Sequence, residues 1–356
     1  MDNVMSSEVV VDGTAKKRGI SGSTLKLVAI ITMLIDHTAA VLVEGLMMKN
    51  GFDYNLDLQS LVSWFGNKTN LLAYSMNEIM RLIGRLAFPI FCFLLVEGFT
   101  HTRSAWKYFL RLVIFAAISE IPFNLAITHS AFDVEYQSVY FTLAIGLLTI
   151  ILMDGFRNKA LGFGRGLFTV LRYVSFFLFG VTGWLLVQES MFGAIIEGFS
   201  GRPLIRCKEG FFLPITVFTD GFWFGAVVCG CISLLVWTIV TFKKNADAVN
   251  KEAAGWIFAY AGMWLASFLW TDYSGWGVLV IIVMYVLRKK RFRSFLFGTV
   301  ILSIMSINEA TAFVMLPFVR KYNGTRGLKL KYLFYAFYPA HLLILYLLGH
   351  FVFALF

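Results

Sequence analysis

The sequence contains few charged residues. Asp, Glu, Lys and Arg make up only 15% of its 356 residues, whereas 58% are hydrophobic and the mean hydropathy is +0.74. An average soluble domain is about 25% charged, and the core of a soluble fold of this length cannot bury so much apolar surface. The composition therefore excludes an ordinary soluble protein and predicts an integral membrane protein.

Cysteine and acidic residues are also scarce. Three of the four cysteines lie within apolar runs, which excludes a disulfide framework, and no spacing of ligands predicts a metal site. The net charge is +10, but no basic patch is interleaved with aromatic residues as nucleic-acid binding would require. The cations lie between the apolar runs, where the positive-inside rule for membrane proteins places them.

Long apolar runs follow one another through the chain. Unbroken runs predict helices, because backbone groups in lipid must be paired within their own segment and barrel strands would alternate in polarity. We predict an all-α polytopic bundle of about ten transmembrane helices, forming one domain (residues 24–356) after a cytoplasmic polar tail (residues 1–23). The predicted spans are Leu25–Met47, Ile79–Phe99, Tyr108–Ile127, Val139–Met153, Tyr173–Val187, Leu213–Phe242, Trp256–Trp270, Trp276–Leu287, Phe295–Val319 and Tyr332–Phe356.

The distribution of basic residues predicts the orientation. With a cytoplasmic N-terminus and ten spans, 19 of the 31 lysines and arginines lie inside. The loop after Phe295–Val319 violates the rule, since it is basic and falls outside. This run also carries Asn308 and Glu309, so a re-entrant pair that returns the loop inside is the alternative to a span.

The first predicted helix carries ionisable residues at bilayer depth, where each costs about 2.5–3.5 kcal/mol. Lys26 and His37 are eleven residues apart, within about 20° of three full turns, so they share one face about 16 Å apart. Glu44, seven residues further, extends this face, whereas Asp36 points about 100° away from His37. This face favours a general base at depth with a cation at the cytoplasmic rim; polar groups bonded to neighbouring helices are the structural alternative.

Other spans carry further candidate residues. Pro89 frees a backbone carbonyl near Arg85, which could pair with an acid across the bundle or hold an anion. Lys107 and its neighbours four residues away would form a basic ridge suited to phosphates. The ridge consists of Arg103, Lys107 and Arg111, and the polar residues expected to line a cavity are Glu44, Glu97, Glu120, Asn124, Tyr338 and His341.

Six segments together resemble the TraX family, the family of the F-pilin acetylation protein. They are Leu25–His37, Gly84–Phe91, Glu97–Arg103, Lys107–Leu112, Ser119–Asn124 and Phe334–His341. The resemblance covers about residues 20–150 and 331–347, and we find none in residues 157–271. One departure is Ser138, which stands where the family usually has asparagine.

The TraX family is in turn similar to the integral-membrane acyltransferases (acyltransferase family 3), in which a basic residue precedes a histidine at the spacing of Lys26 and His37. This resemblance implies an acetyltransferase of the bacterial cytoplasmic membrane that uses acetyl-CoA. His37 would be the catalytic base, supported by Asp36 and Arg85, and the basic ridge with Lys26 would bind the donor. The acceptor would be an amine or hydroxyl at the membrane, on a pilin, another peptide or a glycan.

Two other functions are compatible with the same residues. A transporter or channel would use Lys26, His37 and Glu44 to line its pathway. A haem protein would use His37 and His341 as ligands.

Overall fold

The structure, a computed structural model, describes residues 19–54, 56–158, 165–190, 220–328 and 331–355. These residues are mostly helical and contain no β-strand, only two isolated bridges, which confirms the all-α prediction. The predicted tail lies almost wholly outside the described residues. So does Cys207.

Fourteen α-helices are described, with two π-helical turns (Ala39–Val43 and Leu348–Val352) and a 3₁₀ segment (Ile307–Met315). The α-helices are α1 (Gly22–Thr38), α2 (Glu44–Lys49), α3 (Leu58–Phe65), α4 (Lys68–Gly84), α5 (Ala87–His101), α6 (Ala105–Ile127), α7 (Val139–Asn158), α8 (Arg165–Gln188), α9 (Asp220–Thr241), α10 (Ala246–Phe268), α11 (Ser274–Val286), α12 (Arg291–Met305), α13 (Leu316–Arg320) and α14 (Lys331–Leu347).

Seven helical segments in the described residues are long and apolar enough to span a membrane, so the predicted number of about ten is not confirmed. Two predicted spans fall short for different reasons. In α10 the first turns carry Asp247, Lys251 and Glu252, and α11 has only 13 residues, about 20 Å. The seven segments are Gly22–Lys49, Lys68–His101, Ala105–Ile127, Val139–Arg157, Gly166–Gln188, Trp223–Thr241 and Phe334–Val352.

The run Phe295–Val319, predicted as the ninth span, is a re-entrant hairpin in the structure. Arg291 begins α12 and Tyr322 follows α13, yet the Arg291 guanidinium lies 5.2 Å from the centre of the Tyr322 ring. The hairpin therefore begins and ends at one end of the bundle. The polar residues Asn308 and Glu309 lie in the 3₁₀ segment at its turn, which explains why the run does not continue as one span.

The loop after this hairpin is attached to the beginning of α1. The amides of Ile20, Gly22 and Ser23 donate to the carbonyls of Lys321 (2.9 Å), Thr325 (2.8 Å) and Arg326 (3.0 Å), respectively. The bonds from Gly22 and Ser23 satisfy amides that the first turn of a helix leaves without intrahelical partners. We call this end of the bundle the N-terminal face, and the other end, where Lys49 bonds the carbonyl of Phe353 at 2.9 Å, the opposite face.

We predict that Lys321→Cys reacts with a membrane-impermeant maleimide from the same side as Lys243→Cys, in a background without native cysteines. Lys243 follows α9 at the N-terminal face, and Lys68→Cys at the start of α4 serves as the marker for the opposite face. Labelling of right-side-out and inverted vesicles measures the sides. A spanning Phe295–Val319 would instead make Lys321→Cys react together with Lys68→Cys.

Candidate functional site

His37 of α1 bonds directly to His341 of α14. The His37 Nδ1 atom lies 2.6 Å from the His341 Nε2 atom, and the two ring planes are 11° from parallel with centroids 4.9 Å apart. His341 is 4% exposed, whereas His37 is half-buried. The first and last long helices therefore meet at a histidine pair, with one imidazole enclosed and the other partly accessible.

The hydrogen bonds of this pair determine which ring nitrogens carry protons. The His341 Nδ1 atom lies 2.8 Å from the carbonyl oxygen of Phe337, and a carbonyl can only accept, so Nδ1 of His341 carries a proton. In the neutral ring the Nε2 atom of His341 is then an acceptor, and His37 donates to it from Nδ1. The Nε2 atom of neutral His37 is thereby left with a lone pair, as a general base requires.

Lys26 and His37 face the same helix, as their spacing predicts. The Lys26 ammonium lies 5.5 Å from the centre of the Phe334 ring, and Phe334 is seven residues, or about two turns, before His341 on α14. Lys26 lies on the turn of α1 near the N-terminal face, and His37 lies about 16 Å further along the helix. This side of α1 thus runs from a cation to the histidine pair.

Asp36 points towards α4 instead and does not orient His37. Its Oδ2 atom accepts a hydrogen bond from Arg81 at 2.8 Å. Gly84 allows the two helices to approach, because a Cβ atom at this position would lie 2.2 Å from the Asp36 Cβ atom. His37 is therefore oriented by His341, which the sequence suggested as a cavity-lining residue or a haem ligand but not as the partner of a catalytic base.

Arg85 pairs with Glu309 of the re-entrant hairpin. The acids considered from the sequence as its partners were Asp36, Glu44 and Glu120. The Arg85 Nη1 atom lies 3.3 Å from Glu309 Oε1, which also accepts from the Tyr273 hydroxyl at 3.4 Å. The side chains of Arg81 and Arg85 remain 31% and 25% exposed. Since exposure of arginine to lipid is costly, we expect these guanidinium groups to face a polar environment.

Glu44 departs from the predicted face of α1. The π-helical turn Ala39–Val43 lies between His37 and Glu44, and its wider turn breaks the register of 100° per residue. Glu44 instead accepts a 2.5 Å hydrogen bond from the Tyr54 hydroxyl in the segment before α3. The continuous face of cation, imidazole and acid thus ends at His37.

Glu120 and Asn124 lie near the end of α6, beside the segment that leads into α7. Asn124 is 1% exposed and donates to the carbonyl of Asp133 at 3.3 Å. The Glu120 carboxylate faces Asn124 and the buried Ser138, which is the position of the family departure. An asparagine at residue 138 would present an amide to this carboxylate.

Tyr338 packs against both rings of the histidine pair. It is 2% exposed, and its ring makes edge contacts with those of Tyr140 (4.8 Å), His37 (5.8 Å) and His341 (5.6 Å). Asp272, in the turn between α10 and α11, accepts a 3.0 Å hydrogen bond from the Tyr136 hydroxyl, and burial raises the pKa of its carboxyl. The histidine pair thus packs on Tyr338, which in turn contacts Tyr140.

The predicted basic ridge is incomplete. Arg103 precedes α6, whose N-cap is Ser104, so it does not share a helical face with Lys107 and Arg111. Arg103 and Lys107 are exposed at the N-terminal face, while the guanidinium of Arg111 lies 6.0 Å from the centre of the Tyr108 ring. These residues are separated from Lys26 by α14, since Phe115 of α6 stacks on Tyr335.

Glu97 does not join the histidine pair. It lies near the end of α5 at the N-terminal face, where its Oε1 atom accepts from Arg291 Nε at 3.0 Å. Sequence reasoning missed Arg291 and also Arg81 and Tyr273. Arg81 carries a readable signal, since it is one turn before Arg85 on α4. No local signal connects Arg291 with Glu97, 194 positions away, or Tyr273 with Glu309, 36 positions away.

Long apolar helices with ionisable pairs between them define an integral membrane protein of the polytopic helical class. The profile of one family, described as TraX protein, matches residues 21–181 and 223–349. The chain therefore belongs to the TraX family. The match extends into residues 157–181 and 223–271, where sequence reasoning found no resemblance.

One similar protein is a probable fimbrial assembly protein, FimC of serogroup H1, from Dichelobacter nodosus. It is 32% identical over 139 residues, which are 37% of this chain and 46% of the relative. The chain thus spans less than half the length of this curated relative. No solved structure matches the chain.

We predict that Gly84→Ala destabilises the protein by about 1–3 kcal/mol, because the added methyl group overlaps Asp36 and separates α1 from α4. The matched control is Gly155→Ala in α7, where an added Cβ atom meets no heavy atom within 4 Å. Thermal unfolding in detergent should show a lower midpoint for Gly84→Ala alone. Equal midpoints for the two variants would contradict the close approach.

Proposed function

We propose that this protein is a membrane-bound acyltransferase that moves an acetyl group from acetyl-CoA to an amine or hydroxyl of a membrane-associated acceptor. The histidine pair carries the proposal. Its hydrogen bonds leave the Nε2 atom of the partly accessible His37 as an acceptor, and its Nδ1–H bond to His341 fixes the orientation of the ring. A base with these properties is what acyl transfer from a thioester requires.

His37 would act as general base and then as general acid. Its Nε2 atom accepts the proton of the acceptor amine or hydroxyl as that group bonds to the acyl carbon. The carbon–sulfur bond breaks, and the proton passes to the departing thiolate, so an amide or ester and a free thiol are formed. While His37 is protonated, the Nε2 atom of His341 stabilises the imidazolium by accepting its Nδ1–H.

Arg85 and Asp36 would support this step from the neighbouring side of α1. A guanidinium that is partly accessible can stabilise the oxyanion that forms at the carbonyl oxygen of the thioester, and Glu309 holds Arg85 in position. Asp36 acts on Arg81 rather than on His37, so we assign it a positioning role.

The acceptor is proposed from relatives and not from this chain alone. The relative's printed name concerns fimbrial assembly, which supports a pilin or another peptide amine over a surface glycan. We place the protein in the bacterial cytoplasmic membrane with the N-terminal face towards the cytoplasm. The hairpin supports this orientation, because it returns Arg320, Lys321 and Arg326 to the side of the N-terminal tail.

Transport is less well supported. A pathway lined by Lys26, His37 and Glu44 needs the three residues on one face, and Glu44 is bonded to Tyr54 beyond the π-helical turn. Haem ligation fits the site poorly, since the direct 2.6 Å bond between the two imidazoles leaves no space for iron between them.

We predict that His37→Ala lowers the rate of acetyl transfer by about 10²–10⁴-fold, the usual contribution of a general base. His341→Ala should lower the rate less and shift the pH–rate profile, because the base loses its orienting partner but keeps its lone pair. The assay is transfer of radiolabelled acetyl from acetyl-CoA to membrane peptides by purified protein in nanodiscs.

The matched control is His350→Ala, an exposed histidine in the π-helical turn after α14, which should retain full activity. Unchanged transfer by His37→Ala would remove this histidine from the mechanism. Absence of any transfer by the wild-type protein, together with uptake of a solute into vesicles, would favour transport.

A further inference from the structure

A second polar region, apart from the histidine pair, lies at the N-terminal face. It is a cavity of about 480 Å³ between the end of α5 and the turn that joins α11 to α12. The residues that line it are all of polar or charged types: Glu97, Thr100, His101, Arg288, Lys289 and Arg291. The proposed reaction at His37 uses none of these side chains.

The cavity carries a positive charge. Three cations face one carboxylate, and one of the cations, Arg291, is already bonded to that carboxylate by its Nε atom alone. The side chains of Arg288 and Arg291 are 30% and 38% exposed, and Lys289 is exposed. Arg288 donates from Nη1 to the Tyr285 carbonyl at 2.9 Å, and its Nη2 atom lies 4.0 Å from the Asp154 carboxylate. Because a guanidinium has five N–H donors, both arginines keep donors for a ligand, and arginines with a neighbouring lysine are common ligands of phosphate groups.

One carboxylate oxygen of Glu97 lacks a hydrogen-bond donor. This residue is only 8% exposed, and its Oε2 atom is buried and has no hydrogen-bond partner in the structure, although Oε1 is bonded. A buried acceptor left unpaired costs about 1–3 kcal/mol. A ligand that fills the cavity would stabilise the site most if it offered N–H or O–H groups to Glu97 as well as anionic oxygens to the cations.

Tyr322 and Gly324 also fix the position of the Arg291 side chain. Its guanidinium lies over the Tyr322 ring, and a Cβ atom at Gly324 would lie 2.9 Å from its Nη1 atom. Gly324 has φ +76°, a left-handed conformation that favours glycine. The loop that is hydrogen-bonded to the start of α1 therefore also positions Arg291, and it connects the cavity with the helix that bears His37.

We propose that this cavity binds the nucleotide portion of the acyl donor, with Arg288, Lys289 and Arg291 on its phosphates and the Glu97 carboxylate accepting from an amino or hydroxyl group of the nucleoside. The inference rests on the proposed function, since it assigns the donor of that reaction to a site. The donor's thioester end then extends along α1, which covers about 22 Å between Gly22 and His37.

This set of residues differs from the cations that the sequence singled out. Arg103, Lys107 and Arg111 do not line this cavity, and Arg103 lies outside the helix that carries the other two. Positive-inside topology alone explains exposed cations at this face, whereas it does not explain a buried carboxylate with an unpaired oxygen among them.

The first test is equilibrium binding of adenosine 3′,5′-bisphosphate, the nucleotide end of CoA without thioester or pantetheine, to the full chain in nanodiscs. We expect Arg288→Ala and Lys289→Ala each to weaken binding roughly tenfold or more, since each removes a charge-assisted bond to phosphate. Lys243→Ala, an exposed cation at the same face but outside the cavity, and His37→Ala should bind as the wild type does. Equal binding by all variants, or no binding by the wild type, would overturn the site.

Kinetics separate this inference from the proposed function. If both hold, Lys289→Ala raises the KM for acetyl-CoA roughly tenfold with little change in kcat, and it leaves transfer from an acetyl thioester of pantetheine unchanged. If acetyl transfer depends on His37 but the KM for acetyl-CoA is the same in Lys289→Ala and Lys243→Ala, the nucleotide site is wrong and the acyltransferase proposal survives. If the nucleotide binds at the cavity but no donor is used, the site survives and the acyltransferase proposal fails.

Discussion

The hydrogen bond between His37 and His341 is the interaction on which the proposed chemistry depends. It joins two helices that are about 300 residues apart in the chain, and it fixes which nitrogen of each ring carries a proton. A single buried imidazole in an apolar helix could be purely structural, with its nitrogens hydrogen-bonded to neighbouring groups. Two imidazoles in series, ending on the carbonyl of Phe337, leave one nitrogen available and give its protonated form a partner.

The cost of charge at bilayer depth organises the rest of the centre. Asp36 has a guanidinium partner from α4, and Arg85 has a carboxylate partner from the re-entrant hairpin. The first pair lies where Gly84 allows close packing of α1 against α4. By entering the bundle, the hairpin brings the Glu309 carboxylate to Arg85 and compensates the charge of its guanidinium.

The N-terminal face is organised by one loop. Residues 321–328 bond to the first turn of α1, and Tyr322 and Gly324 contact the guanidinium of Arg291. The beginning of the first helix, the end of the hairpin and the proposed nucleotide cavity are therefore parts of one assembly. A donor bound in that cavity would lie beside the helix whose other residues carry the base.

Local features were determined by the sequence itself. Hydropathy predicts helices and a membrane class, and a period of 3.6 residues places Lys26 and His37 on one side of α1, because both depend only on neighbours along the chain. Tertiary structure decided the partners. That His37 pairs with His341, that Glu309 rather than a nearer acid meets Arg85, and that a predicted span turns back on itself depend on how distant helices pack, which no local pattern encodes.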